Sequence, residues 1–142
     1  MTDSPEHVVI SRWFDAPVAS VWKAFTVPDQ LAQWYGPAGV TVARESVSVE
    51  PRVGGAWSLT MLTGERRMPL TGTIAEVREP DLLVVTDTMP DGTVVTMTVS
   101  LFAEEGGTRL ELRQGPFPTS GVGGAEAAWG PALDKLAVLL TS

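Results

Sequence analysis

The chain has no cysteine and a single histidine, His7. Without thiols there is no disulfide, no thiol nucleophile and no thiolate metal site. One imidazole cannot build a histidine-rich centre either, so no metal and no cofactor is expected. Long apolar runs are also lacking. The longest, Leu136 to Leu140, is far short of the ~20 residues that cross a bilayer, and membrane insertion is not expected. Basic residues are scarce: Lys and Arg number 10 against 17 Asp and Glu, for a net charge of −7. Phosphate recognition rests on clustered cations, which excludes nucleic acid as a partner. The negative charge reads as a contribution to solubility. The opening Met-Thr-Asp-Ser-Pro-Glu has neither the basic nor the apolar region of an export signal, and a cytoplasmic location is expected. No G-x-G-x-x-G fingerprint, Walker loop or zinc spacing occurs.

What is present is the composition of an ordinary globular protein. A hydrophobic fraction of 44% with 19% charged residues separates it from disordered chains. Length allows one domain, taken as residues 1–142, with no repeat or linker to divide it.

Order along the chain follows from periodicity. His7 to Phe14 is rich in β-branched and aromatic residues and predicts a strand. Pro17 suits a first helical position, and Val21, Trp22 and Phe25 carry helical spacing to Thr26. Pro28-Asp29 begins a second short helix through Leu31 and Trp34, stopped by Gly36-Pro37. The period then changes to two. Val40 to Val49, Ala56 to Leu62, Met68 to Val77, Leu82 to Met89, Thr93 to Phe102 and Thr108 to Gln114 all predict strands. The turns between them are too short for crossover helices, so the sheet is an antiparallel meander. Val95, Met97, Val99 and Leu101 alternate with Thr96, Thr98 and Ser100, giving one buried face and one wet one. From about Gly121 to Leu140, Trp129, Leu133, Leu136 and Leu140 form a helical stripe that must be buried against that face. Pro131 should kink this helix or mark the start of its regular part, and Gly121 to Gly124 reads as a hinge before it.

Several strings, in this order, resemble the START-like (SRPBCC) superfamily, in the branch named after the activator of the heat-shock-protein ATPase. They are Phe14-Asp15-Ala16-Pro17 with Val21-Trp22, Pro28 through Trp34-Tyr35-Gly36-Pro37, Gly54-Gly55 with Trp57, Gly72-Thr73-Ile74 with Glu76-Val77, Gly107-Thr108-Arg109-Leu110, and Trp129 with Leu133-Asp134-Lys135-Leu136. Together they span nearly the whole chain. The resemblance implies an α+β helix-grip fold: a curved antiparallel sheet of about seven strands around a long C-terminal helix, with two short helices after the first strand. Tyr35 stands where this branch usually has a second Trp, adding a polar handle, and Ala128 replaces the usual Gly before Trp129. Members of the superfamily include carriers of hydrophobic ligands, polyketide cyclases, stress-related proteins and co-chaperone domains. Fold therefore does not fix function, and no catalytic motif is carried over.

Alternation and helical spacing place Trp57, Leu59, Met61, Leu83, Val85, Met97, Val99, Leu110 and Leu112 inward, facing Trp129 and Leu133. The resemblance implies a ligand cavity among them, whereas composition alone would allow a filled core. Trp34 and Tyr35 either line that cavity or plug one end of the sheet. Asp87 shares a face with Leu83 and Val85, but a carboxylate near a strand end is expected to reach solvent. Arg44, Arg109, Glu111 and Arg113 read as a solvated sheet face with cross-strand pairs.

The function expected is binding of a small hydrophobic or aromatic molecule, of lipid or polyketide-like character, in a cavity between sheet and helix. A cyclase- or hydrolase-type enzyme using the same cavity, and a chaperone-regulating interaction domain, are the alternatives. No catalytic residue is assigned. Self-association into a homodimer stays open, because a sheet edge must be covered or paired.

Overall fold

The computed structural model describes residues 6–36, 38–88, 92–117 and 119–141. Strand β1 (Glu6–Phe14) leads into helices α1 (Val18–Thr26) and α2 (Pro28–Trp34). The strands β2 (Thr41–Val42), β3 (Ser48–Val49), β4 (Ala56–Thr63), β5 (Arg66–Arg78), β6 (Leu82–Thr88), β7 (Val94–Glu104) and β8 (Gly107–Phe117) follow, and helix α3 spans Thr119–Thr141. Every pairing is antiparallel, in the order β1-β8-β7-β6-β5-β4-β2, with β3 also on β4. This is the curved sheet and C-terminal helix of the helix-grip fold.

The expected strand Val40 to Val49 is broken in two. Arg44–Ser46 form a 3₁₀ turn, and Ser46 Oγ donates to Ala43 O and accepts from Thr60 N–H. A serine side chain thus replaces a ladder bond, as Ser can when it competes with the backbone. β2 and β3 flank the turn on the same edge of β4, so the sheet keeps seven positions across. The other correction concerns α3. Its helix includes Gly121 to Gly124 and runs through Pro131, so no hinge precedes it. Packing of the buried stripe outweighs the weak local propensity of those residues. Met89, at the predicted end of β6, lies outside the described residues.

Pleating sorts the side chains. Leu83 opposes Val99, which opposes Leu112, and Val85 opposes Met97, and all five are buried. α3 covers this face with Trp129, Leu133 and Leu136, the last fully buried. Each such aliphatic side chain contributes about 1.5–3 kcal/mol by leaving water. Arg12 Nη1 donates to Asp134 Oδ1 at 2.7 Å and links β1 to α3 at the surface. Thr108 Oγ1, fully buried, donates to Ala16 O at 2.7 Å, fixing the start of β8 under the β1–α1 link.

The end of α1 is closed by indoles. The last carbonyls of a helix have no partner within it. Here Trp34 Nε1 donates to Ala24 O at 2.9 Å and Trp57 Nε1 donates to Phe25 O at 3.0 Å. Both Trp side chains are fully buried, so no water can replace either bond. Trp57→Phe keeps a six-membered aromatic ring but loses the pyrrole ring and leaves Phe25 O unpaired, and is expected to cost about 2–3 kcal/mol of unfolding free energy. Trp13→Phe also removes an indole bond, to Glu104 O, but at a side chain 43% exposed. Water takes over there, and the expected loss is under about 0.5 kcal/mol. Urea denaturation of both variants checks the contrast; equal losses would remove the structural role given to the buried bond.

Candidate functional site

Tyr35 follows α2 directly and is held by its own backbone, its N–H donating to Leu31 O at 3.2 Å. Its ring meets three indoles edge-on or nearly so. Centroids lie 5.4 Å from Trp34, 5.2 Å from Trp57 and 5.7 Å from Trp129. Edge-to-face contacts of this kind stabilise beyond simple burial. Gly36, next in the chain, has φ +100, a conformation that glycine adopts without the penalty a side chain brings. The chain turns there, and Tyr35 and Gly36 form one end of a cavity.

That cavity measures about 160 Å3 and lies between the sheet and α3, lined by Tyr35, Gly36, Met61, Leu70, Gln114, Ala128, Trp129 and Ala132. Of the side chains expected at a cavity, Tyr35, Met61 and Trp129 border it. Trp34, Trp57, Leu59, Leu83, Val85, Met97, Val99, Leu110, Leu112 and Leu133 are buried in the packed core and do not border it. The two readings of Trp34-Tyr35 therefore divide between them: Trp34 is part of the core and Tyr35 is a wall.

Leu70, Gln114, Ala128 and Ala132 are wall residues that the sequence reading did not assign to the cavity. Simple extensions of its own patterns reach them. Alternation through Leu110 and Leu112 continues to Gln114, and alternation back from Ile74 through Gly72 reaches Leu70. Ala128 and Ala132 are four apart beside Trp129, and their small size leaves the space that larger residues would fill. Trp129 Nε1 donates to Gln114 Oε1 at 2.8 Å. This satisfies the indole and holds its ring against the cavity.

Asp87 is the second polar feature. It was expected to reach solvent, but it is 7% exposed and its Oδ1 has no hydrogen-bond partner. Alternation decides its direction: Asp87 pairs with Gly72 on β5 and Val95 on β7, on the inward face. A Cβ at Gly72 would lie 2.7 Å from Asp87 Oδ1 and 2.6 Å from Trp57 O. Only glycine leaves room for the carboxylate there. Burial pushes the Asp87 carboxyl from 3.8 up to about 6. The Tyr35 phenol is pushed upward first by burial and then by the charge of Asp87, so the two groups interact.

Arg109 lies on the sheet face as expected and reaches Glu104 on β7 and Glu111 on its own strand, each at 3.3 Å. Arg44 departs from that expectation: the 3₁₀ turn takes it out of the strand, and it pairs with Asp29 of α2 instead. Arg113 and Glu76 are exposed and His7 is half-buried on β1. Among the described residues no three His, Asp or Glu side chains converge as metal ligands would.

The raised pKa of Asp87 sets the sign of a stability effect. A carboxyl with a higher pKa folded than unfolded holds more protons in the folded state, so its contribution falls as pH rises from 3.8 through about 6. Above that range the buried charge costs about 3 kcal/mol. Asp87→Asn is expected to raise unfolding free energy by roughly that amount near pH 8, with the gain fading by about pH 4. Urea melts at the two pH values measure it, and an equal difference at both would rule out ionisation as the cause.

Comparison with known proteins fits this geometry. Protein CV1439 from Chromobacterium violaceum superposes with a TM-score of 0.86 at 24% identity, covering 96% of this chain and 97% of that one. Protein NE0264 from Nitrosomonas europaea gives 0.85 at 23% identity over 99% and 97% of the two chains. The AHSA1 (SPO3351) protein from Silicibacter pomeroyi gives 0.81 at 23% identity over 96% and 98%. At these identities the likeness is one of fold. None of the curated proteins matches the chain significantly in sequence. The family model described as "Activator of Hsp90 ATPase homolog 1-like protein" matches residues 15–141, from the end of β1 to the last turn of α3, and the chain belongs to that family.

Proposed function

We propose that the protein binds a small hydrophobic or aromatic molecule in the cavity between the sheet and α3. The observation that carries this reading is the cavity itself: about 160 Å3, walled by Met61, Leu70, Ala128, Ala132 and the Trp129 ring, with Tyr35 and Gln114 as polar groups. Apolar walls with a few fixed polar groups are the usual make-up of a small-molecule site. An apolar cavity of roughly 150 Å3 accommodates one benzene ring. The scale favours a single-ring ligand over a long-chain lipid or a fused polyketide. No helix among the described residues is long and apolar enough to cross a membrane, and the reading carries a cytoplasmic location with it.

An enzymatic reading, of cyclase or hydrolase type, draws on the buried Asp87 beside Tyr35. A proton-transfer group must come within hydrogen-bond reach of the substrate, and Asp87 does not border the cavity. Binding is therefore placed first.

The Trp129 indole makes the test direct. Toluene, as a single-ring probe, is expected to change the tryptophan fluorescence saturably. Ala132→Leu places extra carbons in the cavity from a residue 2% exposed. It should abolish the toluene response while leaving the melting temperature unchanged or higher, since filling a cavity restores lost contacts. A response that persists in the variant, or none in the parent protein, defeats the proposal.

A further inference from the structure

We propose that the cavity selects by charge, taking a single aromatic ring that carries a protonated amine, with the Asp87 carboxylate as counter-charge. This rests on the binding reading above and adds the chemical class of the ligand.

The geometry begins at the wall. Leu70 borders the cavity, and the next inward position on the same strand is Gly72. The carboxylate of Asp87 leans into the room that Gly72 leaves, where a Cβ would be 2.7 Å from Oδ1. Asp87 thus lies one inward position beyond the lining. The second connection is Tyr35, which is itself a wall residue and feels the charge of Asp87. The carboxylate is buried, and its Oδ1 has no partner. None of the ion pairs among the described residues involves it.

A buried charge without a partner is costly, and a cation brought close in a low-dielectric site offsets that cost. An anion adds repulsion to the same cost, and a hydrocarbon does neither. Tyr35 and Trp129 border the same cavity, and an ammonium group placed over an aromatic face gains further attraction. The effect depends on ionisation. Gly72 on β5 and Val95 on β7 pair with Asp87, Trp57 O on β4 shares the space at Gly72, and Tyr35 at the end of α2 is the titratable group among those that interact with it. Its phenol stays protonated through the acid and neutral range, so the pH dependence follows Asp87, whose carboxyl titrates at about 6.

Toluene, benzylamine and benzoate share one ring and differ in charge, and their affinities by tryptophan fluorescence test the proposal. At about pH 7.5 benzylamine is expected to bind roughly tenfold more tightly than toluene, with benzoate weakest. The benzylamine-to-toluene ratio should fall to near one in Asp87→Asn, and should survive in Glu104→Gln, which removes the same net charge from the surface. In the parent protein the ratio should also fall as pH is lowered to about 5, which keeps the test independent of any variant's folding. Equal binding of toluene and benzylamine would overturn charge selection and leave the binding reading standing. So would a ratio unchanged by Asp87→Asn or by pH, or a preference for benzoate. If none of the three binds, both readings fail.

Discussion

Helix α1 ends inside the protein, and its last carbonyls would be left without partners there. The Trp57 indole N–H, bonded to Phe25 O at 3.0 Å, and the Trp34 indole N–H, bonded to Ala24 O at 2.9 Å, resolve that problem. Much else follows from these bonds. They fix the helix end against the start of β4 and bring α2 back across it. They also set two indoles as the floor on which Tyr35 stands. The cavity wall is thus built on a capping arrangement, in which large apolar bodies each carry one polar atom that must be satisfied. Trp129 repeats the pattern from the opposite side, with Gln114 as its acceptor. Rigidity at the site comes from directional bonds in a dry region, where each is costly to break.

Within this satisfied framework the buried Oδ1 of Asp87 stands out by having no partner. At the Gly72 position it shares the space with Trp57 O and Val85 Cγ1, and none of these is a cation. An apolar residue of similar size would serve packing better, since a buried charge without a partner opposes folding. Features that lower stability and persist inside a core often belong to function. Burial raises the Asp87 carboxyl, and its charge adds to the burial that raises the Tyr35 phenol, which brings an electrostatic influence to the wall of an otherwise chemically quiet cavity.

The fold was largely legible because its signals are periodic. Alternation along β4 to β8 marked the inward face, and the stripe of Trp129, Leu133 and Leu136 marked the helix that covers it. The strings from Phe14 to Leu136 then fixed the family. What periodicity could not show was where the core stops being full. Leu83, Val99 and Leu112 obey the same alternation as Met61 and Gln114, yet the first three pack solidly and the last two border space. That difference depends on volumes contributed by distant elements, such as the small Ala128 and Ala132 across from Leu70. The break in the strand at Ser46 was hidden because a side-chain bond, not a change in hydrophobic pattern, makes it. Asp87 was misjudged for a related reason. Its direction was readable, but the room for a carboxylate inside depends on Gly72 in the adjacent strand.

The placing of β1 has a consequence for how the chain reaches this structure during synthesis. Its neighbour in the sheet is β8, and Thr108 closes onto Ala16 across 92 residues. β1, made before the rest of this sheet, therefore waits for β8, with Val9 and Trp13 displayed on an unpaired edge meanwhile. Non-local pairing of this kind slows folding and exposes nascent strands to wrong partners. The turns from β4 to β8 can zip up as each is made, and closure by β1 and α3 comes at the end. A shortened message ending before β8 would release a sheet without its edge strand in place and without its covering helix. Such a product is suited to aggregation or to capture by chaperones, and not to partial function.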